Sequence, residues 1–247
     1  MIVLKGIFIF VVLNIFFNFS SILFAHENSI NQEKVVLENT NEKSIYTNLD
    51  IDDLLKETQK MSREEDEIIM IWWLPIEFWK MSFAKDSTMP EKQSKELISH
   101  LNNYTILAVV NGKIGTLGNV EYQSEKYNKK ILSLKDKNNN TYHPLEDKFI
   151  DNTTAMLLSM MKPVLGNMLG PLGENMFFYI FPSIGKDKKV IVDPWKEGIF
   201  LVDLGEREFL WKLPLNSLIP PQNCPKCKEK LKGSYKYCPY DGTKLNY

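Results

Sequence analysis

Four residues near the C-terminus have the types and spacing of a metal site. Cys224-Pro225-Lys226-Cys227 places two thiols two residues apart, and Cys238-Pro239-Tyr240-Asp241 repeats the spacing, with proline again after the first donor and aspartate in the slot of the second. Thiolates are soft donors suited to zinc, and two donors separated by two residues let one tight turn present both to a single ion. Gly242 follows the second turn, where the chain needs a positive φ to aim its N–H groups at the donors; Lys228 stands at the matching place in the first. Asp241 is the expected fourth ligand beside Cys224, Cys227 and Cys238, with an imported histidine or a water as the other candidates. The competing chemistry is a disulfide between two of the cysteines, with the third left as a thiol. No histidine neighbours the three sulfurs to activate a metal-bound water, so a structural ion is expected rather than a catalytic one.

The segment 224–245 resembles a zinc ribbon, the family in which paired CPxC-type turns at the tips of short hairpins grip one structural zinc. The resemblance implies that Cys224, Cys227 and Cys238 fall on ligand positions and that Asp241 replaces the usual fourth cysteine. It covers about a tenth of the chain, and the ten residues between the two turns are fewer than usual. The rest of the chain resembles exported bacterial proteins of unassigned role that end in such a ribbon, a likeness that implies no activity. With only Leu231, Tyr235, Tyr237, Tyr240 and Leu245 to bury, the tail needs a metal to fold. Zinc supplies about 10–16 kcal/mol in comparable peptides.

Other constellations are weaker. His143, Glu146, Asp147 and Asp151 could hold a metal or exchange protons, although a hairpin exit and a helix cap explain most of them. Trp72, Trp73, Phe78, Trp79 and Phe83 could form a binding platform, but aromatics beside a buried strand belong more often to a core. Five methionines between 156 and 176 could offer soft donors to copper, together with His26 at a new N-terminus and His100 or His143; their spacing tracks the apolar face of a helix.

Around these residues the chain organises into four parts. Residues 1–25 carry Lys5, an apolar run and Ala25 at a plausible cleavage position, the pattern of an export signal, with an uncleaved anchor over residues 6–25 as the alternative. Export to a periplasm or the extracellular space is expected, with membrane contact only if the segment is retained. Residues 26–49 read as a polar arm, 50–220 as a globular body and 221–247 as the ribbon. The net charge of −1 argues against bulk capture of nucleic acid. The charge is uneven: residues 26–67 hold 12 acidic against 5 basic side chains, whereas residues 222–247 hold six lysines against Glu229 and Asp241.

In the body, Asp50 should cap a helix burying Ile51, Leu54, Leu55 and Thr58 or Met61, and residues 68–74 read as a strand buried on both faces. Thr88-Met-Pro-Glu91 has capping-box spacing before a helix through Leu97, Ile98 and Leu101. Asn111-Gly112 predicts a hairpin turn, residues 137–140 a second and Gly205-Glu206 a third. Asp151 should cap a helix that Pro163 kinks or splits, and residues 188–192 read as a strand. The expected fold is α+β, a hairpin-rich antiparallel sheet or sandwich with packed helices, plus the ribbon. The expected role is that of an exported non-catalytic protein with a structural Zn²⁺, binding or docking to a protein partner. An exported enzyme with its site near 143–151 or 72–83, and a copper-handling protein, are the alternatives.

Overall fold

The structure, a computed structural model, describes residues 46–62 and 64–245. The export signal, the greater part of the arm and His26 lie outside the described residues. Among the described residues no helix is long and apolar enough to cross a membrane.

The body is α+β, built on two antiparallel sheets. Asp50 caps α1 (Ile51–Thr58), its carboxylate accepting the N–H of Asp52 at 2.9 Å, and the helix buries Ile51, Leu54, Leu55 and Thr58. Met61 belongs to the next strand instead and is exposed. β1 (Gln59–Met61), β2 (Glu67–Leu74) and β3 (Tyr104–Ile114) form adjacent antiparallel neighbours. β4 (Val120–Tyr122) and β7 (Phe177–Pro182) share the far edge of β3. β3 is paired along nearly its whole length, and its apolar run is buried on both faces. The second sheet has the order β6 (Thr141–Tyr142), β5 (Leu132–Lys135), β8 (Gly198–Leu204), β9 (Arg207–Leu213).

The helices are α2 (Ile76–Lys85), α3 (Glu91–Leu101), α4 (Glu125–Ile131), α5 (Asn152–Leu169) and the single turn α6 (Pro171–Glu174). Trp73 of β2 meets Phe200 of β8 edge-on at 4.8 Å, and Phe200 stacks on Trp211 of β9 at 4.9 Å, so aromatic rings join the two sheets. The Trp211 indole N–H donates to the carbonyl of Thr58 at 3.1 Å, fastening β9 to the end of α1. Each such ring removes a large apolar area from water, and truncating one costs about 3–5 kcal/mol. Tyr46 and Leu49 also enter this core.

Four local expectations are corrected. Asn111-Gly112 is not a turn but the interior of β3, opposite Ile69 and Ile68. Gly112 is there because β4 comes close: a Cβ would lie 2.8 Å from Val120 Cγ1. Asn111 is there because its side chain donates to Asn128 at 2.8 Å within the core; the reversal comes later, at Gly118 with φ 80°. Thr88 does not cap α3, which starts after Pro90; Thr88 instead donates its N–H and hydroxyl to Asp86 at 2.8 and 2.6 Å. Pro163 does not split α5, which runs unbroken from Asn152 to Leu169. Residues 188–192 form no strand but a tight loop with one bridge, Ile184 to Val190, because Lys188 itself turns at φ 60°.

The hairpins at 137–140 and 205–206 are as expected. In β9 Phe209 and Trp211 face inward while Glu208, Leu210 and Lys212 face solvent.

Candidate metal centre

Two turns of matching construction build the C-terminal module. In the first, the N–H of Lys228 donates to the carbonyl of Cys224 at 3.0 Å and the N–H of Cys224 to the carbonyl of Glu229 at 2.9 Å. In the second, Gly242 donates to Cys238 at 3.0 Å and Cys238 to Thr243 at 2.8 Å. Gly242 has φ 72° and Lys228 has φ 64°. The lysine that breaks the sequence symmetry therefore adopts the glycine conformation anyway, at a cost of about 1–2 kcal/mol for an L-residue. Short ladders hold each turn: β10 (Gln222–Asn223) pairs β11 (Lys230–Leu231), and Tyr237 bridges Lys244.

The turns bring Cys224, Cys227, Cys238 and Asp241 together, with one ligand atom from each lying within 4.8 Å of all the others. Cys227 Sγ and Cys238 Sγ are 3.6 Å apart, and Cys224 Sγ is 3.5 Å from Asp241 Oδ2. A tetrahedron with metal–sulfur bonds of about 2.3 Å and metal–oxygen bonds of about 2.0 Å has edges of about 3.8 Å between sulfurs and about 3.5 Å between sulfur and oxygen. The donor set thus fits a metal ion in both chemistry and spacing. Asp241 occupies the slot of a second cysteine in detail: its Oδ1 accepts the N–H of Thr243 at 2.9 Å. The equivalent N–H in the first turn, that of Glu229, points at the Cys227 sulfur.

These backbone donors set the local electrostatics. The Thr243 N–H and hydroxyl hold the Asp241 carboxyl well below the usual range, ionised and ready to ligate. Burial pushes the Cys224 thiol up, but the N–H groups of Cys227 and Lys226 outweigh it and leave the thiol below its ordinary value. Cys227 is lowered by the Glu229 N–H, yet desolvation and the crowd of neighbouring thiols and carboxylate win and push it up to about 12. Three sulfurs and a carboxylate crowded together without a cation repel one another's ionisation, a conflict that a dication removes.

The module has almost no core of its own. Cys224, Leu231, Cys238 and Leu245 are its buried cluster. Tyr235, Tyr237 and Tyr240, expected to help fill it, are instead 39%, 60% and 73% exposed, because two-residue ladders leave nothing for the rings to lie against. The module is seated on the body at one place. Lys232 Nζ is 2.8 Å from Asp53 Oδ2 of α1, and Gly233 lies against Ile219 and Pro220 of the connecting segment. Beside that seat is a cleft of about 430 Å³, with Asp50, Glu57, Ser217 and Ser234 in its walls. Neither Lys232 nor Gly233 stands out in the sequence; the available signal was the charge contrast between the acidic 26–67 stretch and the lysine-rich tail.

The competing candidates do not assemble in the same way. Asp151 caps α5 and pairs with His100 Nδ1 at 2.9 Å rather than with His143. Asp147 pairs with Lys129, and Glu146 with Lys148, both toward solvent. Trp72, Trp73, Phe78, Trp79 and Phe83 are all buried, so none offers a platform. Met161 and Met176 lie in the core, Met160 and Met168 pack against it, and Met156 is exposed.

The fold and site therefore describe an α+β body carrying a small two-turn module with a cysteine–aspartate cluster able to hold a metal ion. No protein-family model matches this sequence, and no curated protein or solved structure matches it either.

Proposed function

We propose that residues 221–247 are a zinc ribbon in which Cys224, Cys227, Cys238 and Asp241 hold one structural Zn²⁺, and that the protein is an exported, non-catalytic binding or docking protein. The observation that carries the metal reading is the edge lengths of the cluster, 3.6 Å between sulfurs and 3.5 Å between sulfur and carboxylate. A bound dication would supply the folding free energy that two buried leucines cannot. Three thiolates are the soft set that favours zinc over magnesium or calcium.

Several features support a docking role. The module reaches α1 through Lys232 and lies against Ile219 and Pro220 through Gly233. Its outer surface carries exposed tyrosines among lysines, a composition suited to an acidic protein surface.

Metal analysis of the purified full chain tests the reading. Close to one zinc per chain is expected, nearly abolished in Cys238→Ala and weakened in Asp241→Ala. An unchanged zinc content in Asp241→Ala would remove that residue from the site. The docking role is tested by comparing partner recovery from native envelopes with wild-type and Cys238→Ala bait; equal recovery would place the binding surface outside the ribbon.

A further inference from the structure

We propose that Cys227 is an oxidation site and Cys238 its resolving partner, so that a hydroperoxide converts the tail into a 227–238 disulfide form that cannot hold a metal. The inference rests on the metal-centre reading above and adds to it a means of release.

The three sulfurs are not equivalent. Cys224 is 0% and Cys238 2% exposed, whereas Cys227 is open to solvent. A soluble oxidant therefore meets Cys227 first, and ligation to the metal is what would hold that sulfur as the reactive thiolate. The Cys238 sulfur is 3.6 Å away, in van der Waals contact, and has to close to about 2.05 Å to form the bond. Cys224 is turned toward the Asp241 carboxylate, with Sγ 3.5 Å from Oδ2, and is shielded from solvent, so it is the sulfur left over. With three cysteines the module can form one internal disulfide and no more.

The chemistry balances with a hydroperoxide as oxidant. The Cys227 sulfur attacks the terminal peroxide oxygen; an S–O bond forms, the O–O bond breaks, and the departing alkoxide or hydroxide takes one proton. The Cys238 thiolate then attacks the sulfenic sulfur of Cys227; the S–S bond forms and the S–O bond breaks. The oxygen leaves as hydroxide and is protonated to water. Two electrons pass from the sulfur pair to the hydroperoxide. What remains of the donor set is Cys224 and Asp241, two ligands where a structural site needs four. Leu231 and Leu245 alone cannot hold the two turns, and the seat on Asp53 loosens with them. The exposed side of the disulfide is Cys227, so a thiol reductant can reach it and restore the site.

The test treats the full chain with a few equivalents of hydrogen peroxide. It follows metal release with a chromophoric chelator and maps the cysteine pairs after cleavage at Lys226, which separates Cys224 from Cys227. The expected result is a single 227–238 disulfide, free Cys224, release in step with disulfide formation, and recovery after a thiol reductant and zinc. Cys227→Ser, which also loses a metal ligand, should form neither the sulfenic acid nor the disulfide at the peroxide dose that converts the wild type. Cys238→Ser should leave a sulfenic acid at Cys227 that a dione reagent traps. A dominant 224–227 pair, or release without any disulfide, would overturn the proposal even with the metal reading intact. A purified chain without metal would sink the metal reading instead; the wild-type disulfide map would still decide the order of oxidation, and there too any pair other than 227–238 overturns it.

Discussion

Seating of the tail on the body depends on one missing side chain, which makes Gly233→Ala the most informative packing variant. A Cβ at 233 would lie 2.3 Å from the Pro220 carbonyl oxygen, 2.5 Å from Ile219 Cγ2 and 2.6 Å from the Ile219 carbonyl oxygen. Ordinary contact is about 3.4 Å or more, so the tail must move by about 1 Å, and two of the three obstacles are backbone atoms that no rotamer change removes. Overpacking of this kind costs about 1–3 kcal/mol. Gly233 has no positive φ to complicate the reading, so the cost is steric. If it falls on the closed arrangement alone, the fraction of molecules with the tail lifted rises roughly 5- to 150-fold, ten-fold for each 1.4 kcal/mol. Limited proteolysis of the 219–223 connector reports that fraction when closing is faster than cleavage. Gly198→Ala, whose Cβ meets only Lys137 Cδ at 3.8 Å, is the control and should be cut at the wild-type rate. Metal content should survive in Gly233→Ala, since the four donors lie elsewhere. Equal cleavage of Gly233→Ala and wild type would refute the seat.

Three further outcomes follow from the same structure. Lys232 of the Asp53–Lys232 pair is 58% exposed, so a double-mutant cycle should give only about 0.2–1 kcal/mol. Lys232 lowers the Asp53 carboxyl, so its contribution is present above the ordinary carboxylate value and lost as pH falls through the lowered one; Asp53 raises Lys232, whose share fades as pH climbs through its raised value. In the two turns, Lys228→Gly should relieve strain and raise stability by up to about 1 kcal/mol, while Gly242→Ala should lower it by about 1–2 kcal/mol, read from unfolding of the metal-loaded chain. Glu77 is buried with Oε1 accepting the Trp195 indole N–H at 2.7 Å and Oε2 without a partner, and burial raises its carboxyl above the ordinary value. An acid whose value rises on folding stabilises fully at low pH and loses that contribution as pH rises through the raised value. The stability of Glu77→Gln relative to wild type should therefore improve from pH 5 to pH 8, and a flat difference would mean the carboxyl ionises freely.

The sequence was most legible where one physical requirement decides each residue. Asp50 and Asp151 cap helices because a carboxylate satisfies first-turn N–H groups. Gly205 with Glu206 turns a hairpin because the strands on both sides alternate in register. The metal cluster was legible for the same reason, down to aspartate in a cysteine slot. Legibility failed where one residue type serves two needs. Asn111-Gly112 has turn chemistry, yet here glycine admits the Val120 side chain and asparagine meets Asn128, contacts that only the assembled sheet reveals. Lys228 gave no sign of its left-handed backbone, because the turn's hydrogen bonds override a local preference worth about 1–2 kcal/mol. The seat of the tail depends on residues 179 positions apart in sequence, Asp53 and Lys232, and no local pattern records that pairing.

X-ray absorption at the zinc edge of the purified full chain tests the central claim most directly. The account predicts three sulfurs at about 2.3 Å and one oxygen at about 2.0–2.2 Å, with the oxygen shell altered in Asp241→Ala and the sulfur count unchanged. A shell of nitrogen and oxygen only, fewer than three sulfurs, or a spectrum untouched by Asp241→Ala would contradict it.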